Sequence, residues 1–304
     1  MELNMQQCEL CPRKCKVDRY MGRGFCGVGA TLTAARAMLH HWEEPSISGT
    51  RGSGAIFFSG CPLRCVFCQN HALSHEGYGA EIAPERLADL MLELQDKGAH
   101  NVNLVSPTQY LPPILRALEI AKPHLTIPVV YNTGGYERVE AIRALEGYVD
   151  VYLPDIKYYS SELSARYAAA PDYFERAIEA LCAMVEQVGP CVFDGDGMIR
   201  RGVIVRHLVL PGCRRDSMDV LRGVADAVDV SHVKLSLMSQ YTPDFAPESE
   251  KNLRRRLTTF EYQSVLSCAA RLGYDGYRQE FTSSDKKYTP DFHLQGITGG
   301  MEEL

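Results

Sequence analysis

The chain has 304 residues, of which 45% are hydrophobic and 23% are charged. These proportions are ordinary for a soluble globular protein, and the length allows one large α/β domain or two small ones. A formal net charge of -6 gives no general attraction to nucleic acid or to an anionic membrane. No apolar stretch approaches the roughly 18 to 20 residues of a transmembrane helix, and the first residues lack the basic and apolar blocks of a secretory signal. We therefore expect a cytoplasmic protein with neither nucleic-acid nor membrane partners.

Cysteine is the most unevenly distributed residue type. Seven of the eleven cysteines lie between residues 8 and 68, and clustering in a reducing compartment favours metal binding over disulfides. The first group has four members among turn-forming glycines: Cys8, Cys11, Cys15 and Cys26. Four thiolates can bind either zinc or an iron-sulfur cluster, and the sequence does not decide between them. A site that uses three or fewer of them, with one cysteine merely buried, is a further alternative. We predict a small metal-binding module with its linker over residues 1–50.

From about residue 53 onward, short apolar runs alternate with helical patterns. The runs that predict strands are 55–59, 102–105, 128–131, 149–153, 203–210 and 233–237. Their nearly continuous apolar character is typical of parallel strands that are covered on both faces.

The helical patterns lie between these runs. The clearest covers 84–97, with a proline at its start and Gly98 at its end. Others lie near 114–118, over 137–145 and over 173–188, and a capping box begins the last helix at Thr258. Six β/α units predict an α/β fold, an open, partial (β/α)6 barrel, over residues 51–304 with a C-terminal extension.

A second cysteine group directly follows the first predicted strand of the barrel. Cys61, Cys65 and Cys68 are spaced CxxxCxxC. Three thiolates on one loop can hold three irons of a cubane cluster and leave the fourth iron open for chemistry. The alternative is a zinc site with His71 as the fourth ligand, although zinc sites usually have paired CxxC spacing.

Polar residues follow the other predicted strands where ligand sites gather, at the carboxyl ends of parallel strands. These segments are Ser106-Pro107-Thr108, Asn132-Thr133-Gly134-Gly135, Asp155-Ile156-Lys157 and Ser239-Gln240, with Arg206 inside the fifth strand. The plain alternatives are a surface ion pair for Asp155 and Lys157, and a solvent-facing arginine at 206.

The cysteine loop, with Phe67 before its last cysteine, resembles the signature of the radical S-adenosylmethionine superfamily. Further segments resemble the pyruvate formate-lyase activating enzyme-like branch, in a subgroup with an N-terminal cysteine module. These segments are Glu43-Glu44-Pro45, Gly52-Ser53-Gly54, Phe57-Phe58-Ser59-Gly60-Cys61, Cys68-Gln69-Asn70, Arg206-His207-Leu208-Val209-Leu210-Pro211-Gly212 and Leu237-Met238-Ser239-Gln240-Tyr241.

The resemblance implies a [4Fe-4S] cluster on Cys61, Cys65 and Cys68 that reductively cleaves S-adenosylmethionine. It implies a 5′-deoxyadenosyl radical that abstracts hydrogen from a substrate, with a glycine of a glycyl radical enzyme as the first candidate. Another protein, a peptide or a small molecule is the alternative substrate. An electron donor such as flavodoxin or ferredoxin is the implied partner.

The resemblance also implies cofactor contacts at the strand ends. They are Ser106, Thr108, Asn132, Thr133, Asp155, Lys157, Arg206 and Gln240. One departure stands out, because many relatives carry Gly-Gly-Glu after the second strand, where this chain has Ser106-Pro107-Thr108-Gln109. A neutral acceptor there binds an amino group more weakly than a carboxylate does.

Three further interpretations stay open. The segment His40-His41-Trp42-Glu43-Glu44 either lines the barrel mouth or is a packed linker. Cys213, just beyond a strand end, is a possible site residue. A non-catalytic metal or electron-carrier protein, with closed sites at both cysteine groups, is the competing function.

Overall fold

The computed structural model describes residues 3–279 and 292–297. Its strands are β1 (Thr33–His40), β2 (Ser53–Phe58), β3 (Ala80–Glu81), β4 (Val102–Val105), β5 (Val129–Thr133), β6 (Val151–Pro154), β7 (Val192–Phe193), β8 (Ile199–Leu208), β9 (Val233–Met238) and β10 (Gly276–Arg278). Its helices are α1 (Pro45–Ser48), α2 (His71–Ser74), α3 (Pro84–Asp96), α4 (Leu111–Ala121), α5 (Val139–Ala144), α6 (Ser161–Ala168), α7 (Tyr173–Val188), α8 (Arg214–Ala227) and α9 (Thr259–Arg271). Single 3-10 turns cover Thr108–Tyr110 and Val230–His232.

One twisted sheet organises the protein. Its strand order is β10-β9-β8-β6-β5-β4-β2-β1-β3, and β7 pairs with β8 at the side. The pairs from β2 through to β10 are parallel, whereas β1 and β3 are antiparallel additions at the other edge. The path is open and helices connect successive parallel strands, so the predicted fold class, a partial barrel of β/α units, is confirmed.

All six predicted barrel strands are present, with bounds that differ by a few residues. Every residue of β2, β4, β5 and β6 is buried, as expected for strands that are covered on both faces. The predicted capping box at the start of α9 is also present, since the Thr258 hydroxyl accepts from the Glu261 amide and the Glu261 carboxylate accepts from the Thr258 amide.

The structure adds elements that the sequence analysis did not predict, chiefly β1, α6 and α8. β1 mixes small, basic and apolar residues, so it lacks the apolar run of the central strands. α8 carries charged residues around a narrow buried stripe of Val220, Leu221 and Val224. Each of these elements depends on its neighbours more than on its own pattern.

The cysteine-rich residues before β1 pack against the barrel loop that carries the second cysteine group. The Cys61 amide donates to the Cys26 carbonyl at 3.2 Å. Arg13 donates from Nε to the Pro62 carbonyl at 2.8 Å and from Nη2 to the Ala168 carbonyl at 2.6 Å. These contacts fix the loop from outside the barrel.

The proposed division at residue 50 stays a prediction, and β1 on one side of it pairs with β2 on the other. Of the predicted C-terminal extension, residues 280–291 and 298–304 lie outside the described residues. Within the residues that are described, no helix has both the length and the apolar character needed to cross a bilayer.

Candidate active site

The carboxyl ends of the parallel strands surround a cavity of about 220 Å³. It is lined by the three cysteines of the barrel loop and by seven of the eight predicted cofactor contacts: Ser106, Asn132, Thr133, Asp155, Lys157, Arg206 and Gln240. Thr108, the eighth, does not line it. The strand ends that the sequence picked out separately are therefore brought to one place.

The cysteine loop turns sharply into this cavity. Gly60 has a φ of 80°, and a Cβ there would come within 2.8 Å of the Cys26 carbonyl oxygen, so only glycine fits without displacement. The Leu63 amide donates to Cys61 Sγ at 3.4 Å, and the Tyr158 hydroxyl donates to Cys65 Sγ at 3.4 Å. Burial raises the pKa of Cys61 to about 11, so this thiol stays protonated until a metal displaces the proton.

The donor set suits an iron-sulfur cluster in number and chemistry. Within the described part of the chain, no three His, Cys, Asp or Glu side chains are gathered as ligands of one ion. In a cubane cluster each thiolate binds a different iron, so the sulfurs need not converge on a single point. His71, the fourth ligand of the zinc alternative, stacks between His75 and Phe245, and its Nδ1 lies 3.1 Å from Glu76 Oε1.

Buried charges form another part of the cavity wall. Arg206, on β8, donates from Nη1 to Glu43 Oε2 at 2.9 Å. Its Nε lies 3.4 Å from Glu44 Oε1 and 3.5 Å from Asp155 Oδ1. Three carboxylates thus surround one guanidinium, and the solvent-facing alternative for Arg206 is wrong, because its side chain is only 15% exposed.

Asp155 and Lys157 make a second ion pair in the same wall, at 2.5 Å between Oδ2 and Nζ. Burial alone would raise the pKa of Asp155, but the charges of Lys157 and Arg206 outweigh it and hold that pKa below its ordinary value. The Tyr173 hydroxyl lies 2.8 Å from the Gly134 carbonyl and accepts from the Lys157 amide at 3.0 Å. This tyrosine ties the end of β5 to the end of β6 beside the ion pair.

Thr108 and Thr133 both serve a residue that the sequence analysis missed. Their hydroxyls donate to Oε1 of Glu137, a fully buried carboxyl just before α5. Oε2 of Glu137 has no hydrogen-bond partner. Burial raises the pKa of Glu137 to about 7, although both threonine bonds oppose the rise. The two hydroxyls therefore join the ends of β4 and β5 through one carboxyl.

We expect this carboxyl to make stability depend on pH. Folding raises its pKa from 4.5 to about 7, so the stability that protonated Glu137 contributes is fully present below about pH 4.5 and is lost as the pH rises through about 7. Glu137→Gln should become more stable relative to the native protein by about 3 kcal/mol between pH 4.5 and pH 8. Anaerobic urea unfolding at several pH values measures the difference, and a pH-independent difference would contradict this account.

The segment from His40 to Glu44, before α1, also reaches the site, so it lines the barrel mouth in part. His40, Trp42 and Glu43 line the cavity, whereas Glu44 lies behind it against Arg206. Burial lowers the pKa of His40 to about 4, so its imidazole is neutral. Cys213, by contrast, is buried at the start of α8 and does not line the cavity. The sequence did mark Glu43 and Glu44, as part of the family resemblance and of a segment that would either line the barrel mouth or be a packed linker, but no spacing assigned either of them a role in the site.

Comparison with known proteins identifies the barrel. Residues 55–199 match the family model of the Radical SAM superfamily. This stretch is a radical SAM domain. The predicted superfamily is confirmed. Membership in it implies a [4Fe-4S] cluster and S-adenosylmethionine as cofactors.

Two relatives match this chain over two thirds or more of its length. The chain is 29% identical to the uncharacterized protein MJ0674 of Methanocaldococcus jannaschii over 283 residues, which cover 89% of this chain and 76% of the relative. It is 24% identical to a pyruvate formate-lyase-activating enzyme of Clostridium pasteurianum over 218 residues, 68% of this chain and 82% of that one.

A solved structure shows the same fold. SuiB of Streptococcus suis, in a crystal structure with its precursor peptide SuiA, superposes with a TM-score of 0.50 at 14% identity. The match covers 73% of this chain and 48% of SuiB, so this chain spans about half the length of that protein.

Proposed function

We propose that this protein is a radical SAM enzyme that reductively cleaves S-adenosylmethionine and abstracts hydrogen from a substrate. The observation that carries the proposal is the single cavity in which Cys61, Cys65 and Cys68 face seven polar residues from neighbouring strand ends. When bound, the cluster supplies the electron that breaks the S–C5′ bond of the cofactor and so generates the abstracting 5′-deoxyadenosyl radical. A non-catalytic carrier does not account for a cavity of this kind.

The residues of the cavity have distinct tasks in this proposal. The three thiolates hold three irons of the cluster. Lys157 presents an ammonium to the carboxylate of the cofactor's methionine end, and its ion pair with Asp155 holds it rigidly in place. Phe67 and Tyr241, whose rings meet edge to face at 5.8 Å, line the same cavity and exclude water from it.

The cleavage itself is tested first. The protein is reconstituted anaerobically with iron and sulfide, reduced with dithionite and mixed with S-adenosylmethionine. We expect 5′-deoxyadenosine to form only when iron, reductant and cofactor are all present. A metal centre at the barrel loop that has four protein ligands, and whose spectrum does not respond to S-adenosylmethionine, would support the carrier function instead.

For the substrate, we propose a glycine of a glycyl radical enzyme. The support is the sequence similarity to the activating enzyme of Clostridium pasteurianum. Incubation of the reduced protein with a candidate glycyl radical enzyme should give a glycyl signal in electron spin resonance. Cofactor cleavage without that signal would direct the search to another protein, a peptide or a small molecule.

The reductant is the remaining partner of this chemistry. We propose a flavodoxin or a ferredoxin, because the cluster takes up one electron at a time. Both are proteins of the cytoplasm, where we expect this chain to act.

We also propose that the N-terminal cysteines hold a second metal centre. N–H groups point at two of the four sulfurs: the Phe25 amide donates to Cys15 Sγ at 3.4 Å, and Arg19 Nη1 lies 3.6 Å from Cys8 Sγ. Such donors commonly support thiolate ligands. In number and softness the four thiols suit zinc and a cluster equally well, and among the described residues no three of them are gathered around one ion position.

A variant without the barrel-loop thiols tests this second centre. With Cys61, Cys65 and Cys68 all replaced by alanine, we expect the protein to retain one metal centre, which the further change Cys15→Ala removes. Metal and sulfide analysis of the purified variants measures it. Iron with sulfide would identify a second cluster, zinc would identify a structural site, and a metal-free variant would contradict the proposal.

A further inference from the structure

Glu43 carries a buried carboxylate that lines the cavity, and it is not among the cofactor contacts that the sequence predicted. Its side chain is 8% exposed, and it comes from the segment between β1 and α1. Three strands hold it from three directions. Asn103 on β4 and Asn132 on β5 donate to Oε1 at 3.3 and 3.2 Å, and Arg206 on β8 donates to Oε2 at 2.9 Å.

These contacts leave Glu43 with unused accepting capacity. A carboxylate oxygen accepts two hydrogen bonds, and Oε2 receives one. Glu43 lines the cavity, so a bound ligand can reach it. The other cavity carboxylate, Asp155, faces the charges of Lys157 and Arg206 with its two oxygens.

The end of β4, where many relatives carry an acidic residue, offers only neutral hydrogen-bond acceptors in this chain. Ser106 lines the cavity there with a φ of 59°, a left-handed conformation that is unfavourable for a non-glycine residue. The hydroxyl of Thr108 is already bonded to Glu137. A ligand N–H group in this part of the cavity has its strongest available acceptor at Glu43, since a bond to a carboxylate is roughly twice as strong as one to a neutral oxygen.

We propose that Glu43 binds the amino group of the methionine end of S-adenosylmethionine, in place of an acidic residue after β4. Arg206 and the two asparagines aim the carboxylate, and Oε2 accepts an N–H of the ligand. The inference rests on the proposed function, because it assigns the amino group of that cofactor to this chain's own residue.

The test is a binding measurement with two ligands and two variants. S-adenosylmethionine and its analogue without the amino group are titrated into the reconstituted, unreduced protein, and the dissociation constants are compared. Any contact that the amino group would make with the cluster would be lost equally in the native protein and in Glu43→Gln, so the comparison between the two proteins isolates the contact with Glu43. In the native protein, the analogue should bind more weakly than S-adenosylmethionine by an additional factor of roughly ten to a hundred in dissociation constant. Glu43→Gln should not show this additional factor.

Glu44→Gln is the matched control. Glu44 is buried next to the same guanidinium, but it does not line the cavity. It should retain the additional factor of the native protein. An additional factor that persists in Glu43→Gln, or that disappears equally in Glu44→Gln, would overturn the inference and leave Glu43 with a structural role.

One further variant and one distinct outcome of the titration keep the test decisive. If Glu43→Gln does not retain its iron, Glu43→Asp is measured instead, and its shorter side chain should give a smaller additional factor than the native residue does. An unchanged factor in that variant would also overturn the inference. A native protein that binds neither ligand would refute the proposed function itself, which is a different result from a change in the ratio.

Discussion

Arg206→Ala should lower the free energy of unfolding by about 3–5 kcal/mol, because it leaves buried carboxylates without their counter-charge. Glu43, Glu44 and Asp155 all lie within 3.5 Å of this guanidinium. The loss should be smaller at acidic pH, where carboxyl groups take up protons and need no cation. Anaerobic denaturant unfolding of the native protein and the variant at neutral and acidic pH measures both effects.

A surface arginine provides the comparison. Arg222 pairs with Asp219 one helical turn away, and its side chain is 52% exposed. Arg222→Ala should change stability by less than about 1 kcal/mol, as is usual for exposed pairs. Equal losses in the two variants would mean that the three carboxylates do not depend on Arg206.

Cys65→Ala should abolish the formation of 5′-deoxyadenosine. It removes the middle ligand of the loop, so only two thiolates remain for a cluster that needs three from the protein. Iron and sulfide content should fall together with the product, which chromatography quantifies after anaerobic reduction with dithionite. The reduced variant should form no more product than the native protein without reductant.

Cys268→Ala is the corresponding control. Cys268 is equally a buried thiol, but it lies on α9 in the hydrophobic core and does not line the cavity. This variant should keep its cluster and its product. Normal product formation by Cys65→Ala would show that the loop is not the ligand set.

The barrel could be predicted from sequence because its signals are local. A strand such as β4, in which three of the four residues are apolar, and a helix such as α3, bounded by Pro84 and Gly98, are marked by residues of their own segment. The convergence of strand ends followed from the parallel topology alone. It placed Asp155, Lys157 and the cysteine loop around one cavity correctly.

The parts that escaped prediction depend on partners distant in the chain. Glu43 is a site residue only because Asn103, Asn132 and Arg206, from three later strands, hold it in the cavity. Thr108 has a suitable side chain next to the strand end, yet Glu137 draws its hydroxyl away from the cavity. The spacing of residues along the chain predicts neither the position of Glu43 nor the bond of Thr108, because both depend on packing between elements.

The hydrogen bond from Cys61 to Cys26 links the shape of the barrel loop to the N-terminal cysteine segment. The barrel loop takes its shape partly from that carbonyl and from Arg13, both of which belong to residues synthesised well before the loop. Because the loop depends on these two contacts, we expect a substitution that displaces the N-terminal segment, such as Arg13→Ala, to lower the iron retained by Cys61, Cys65 and Cys68, although Arg13 itself binds no metal.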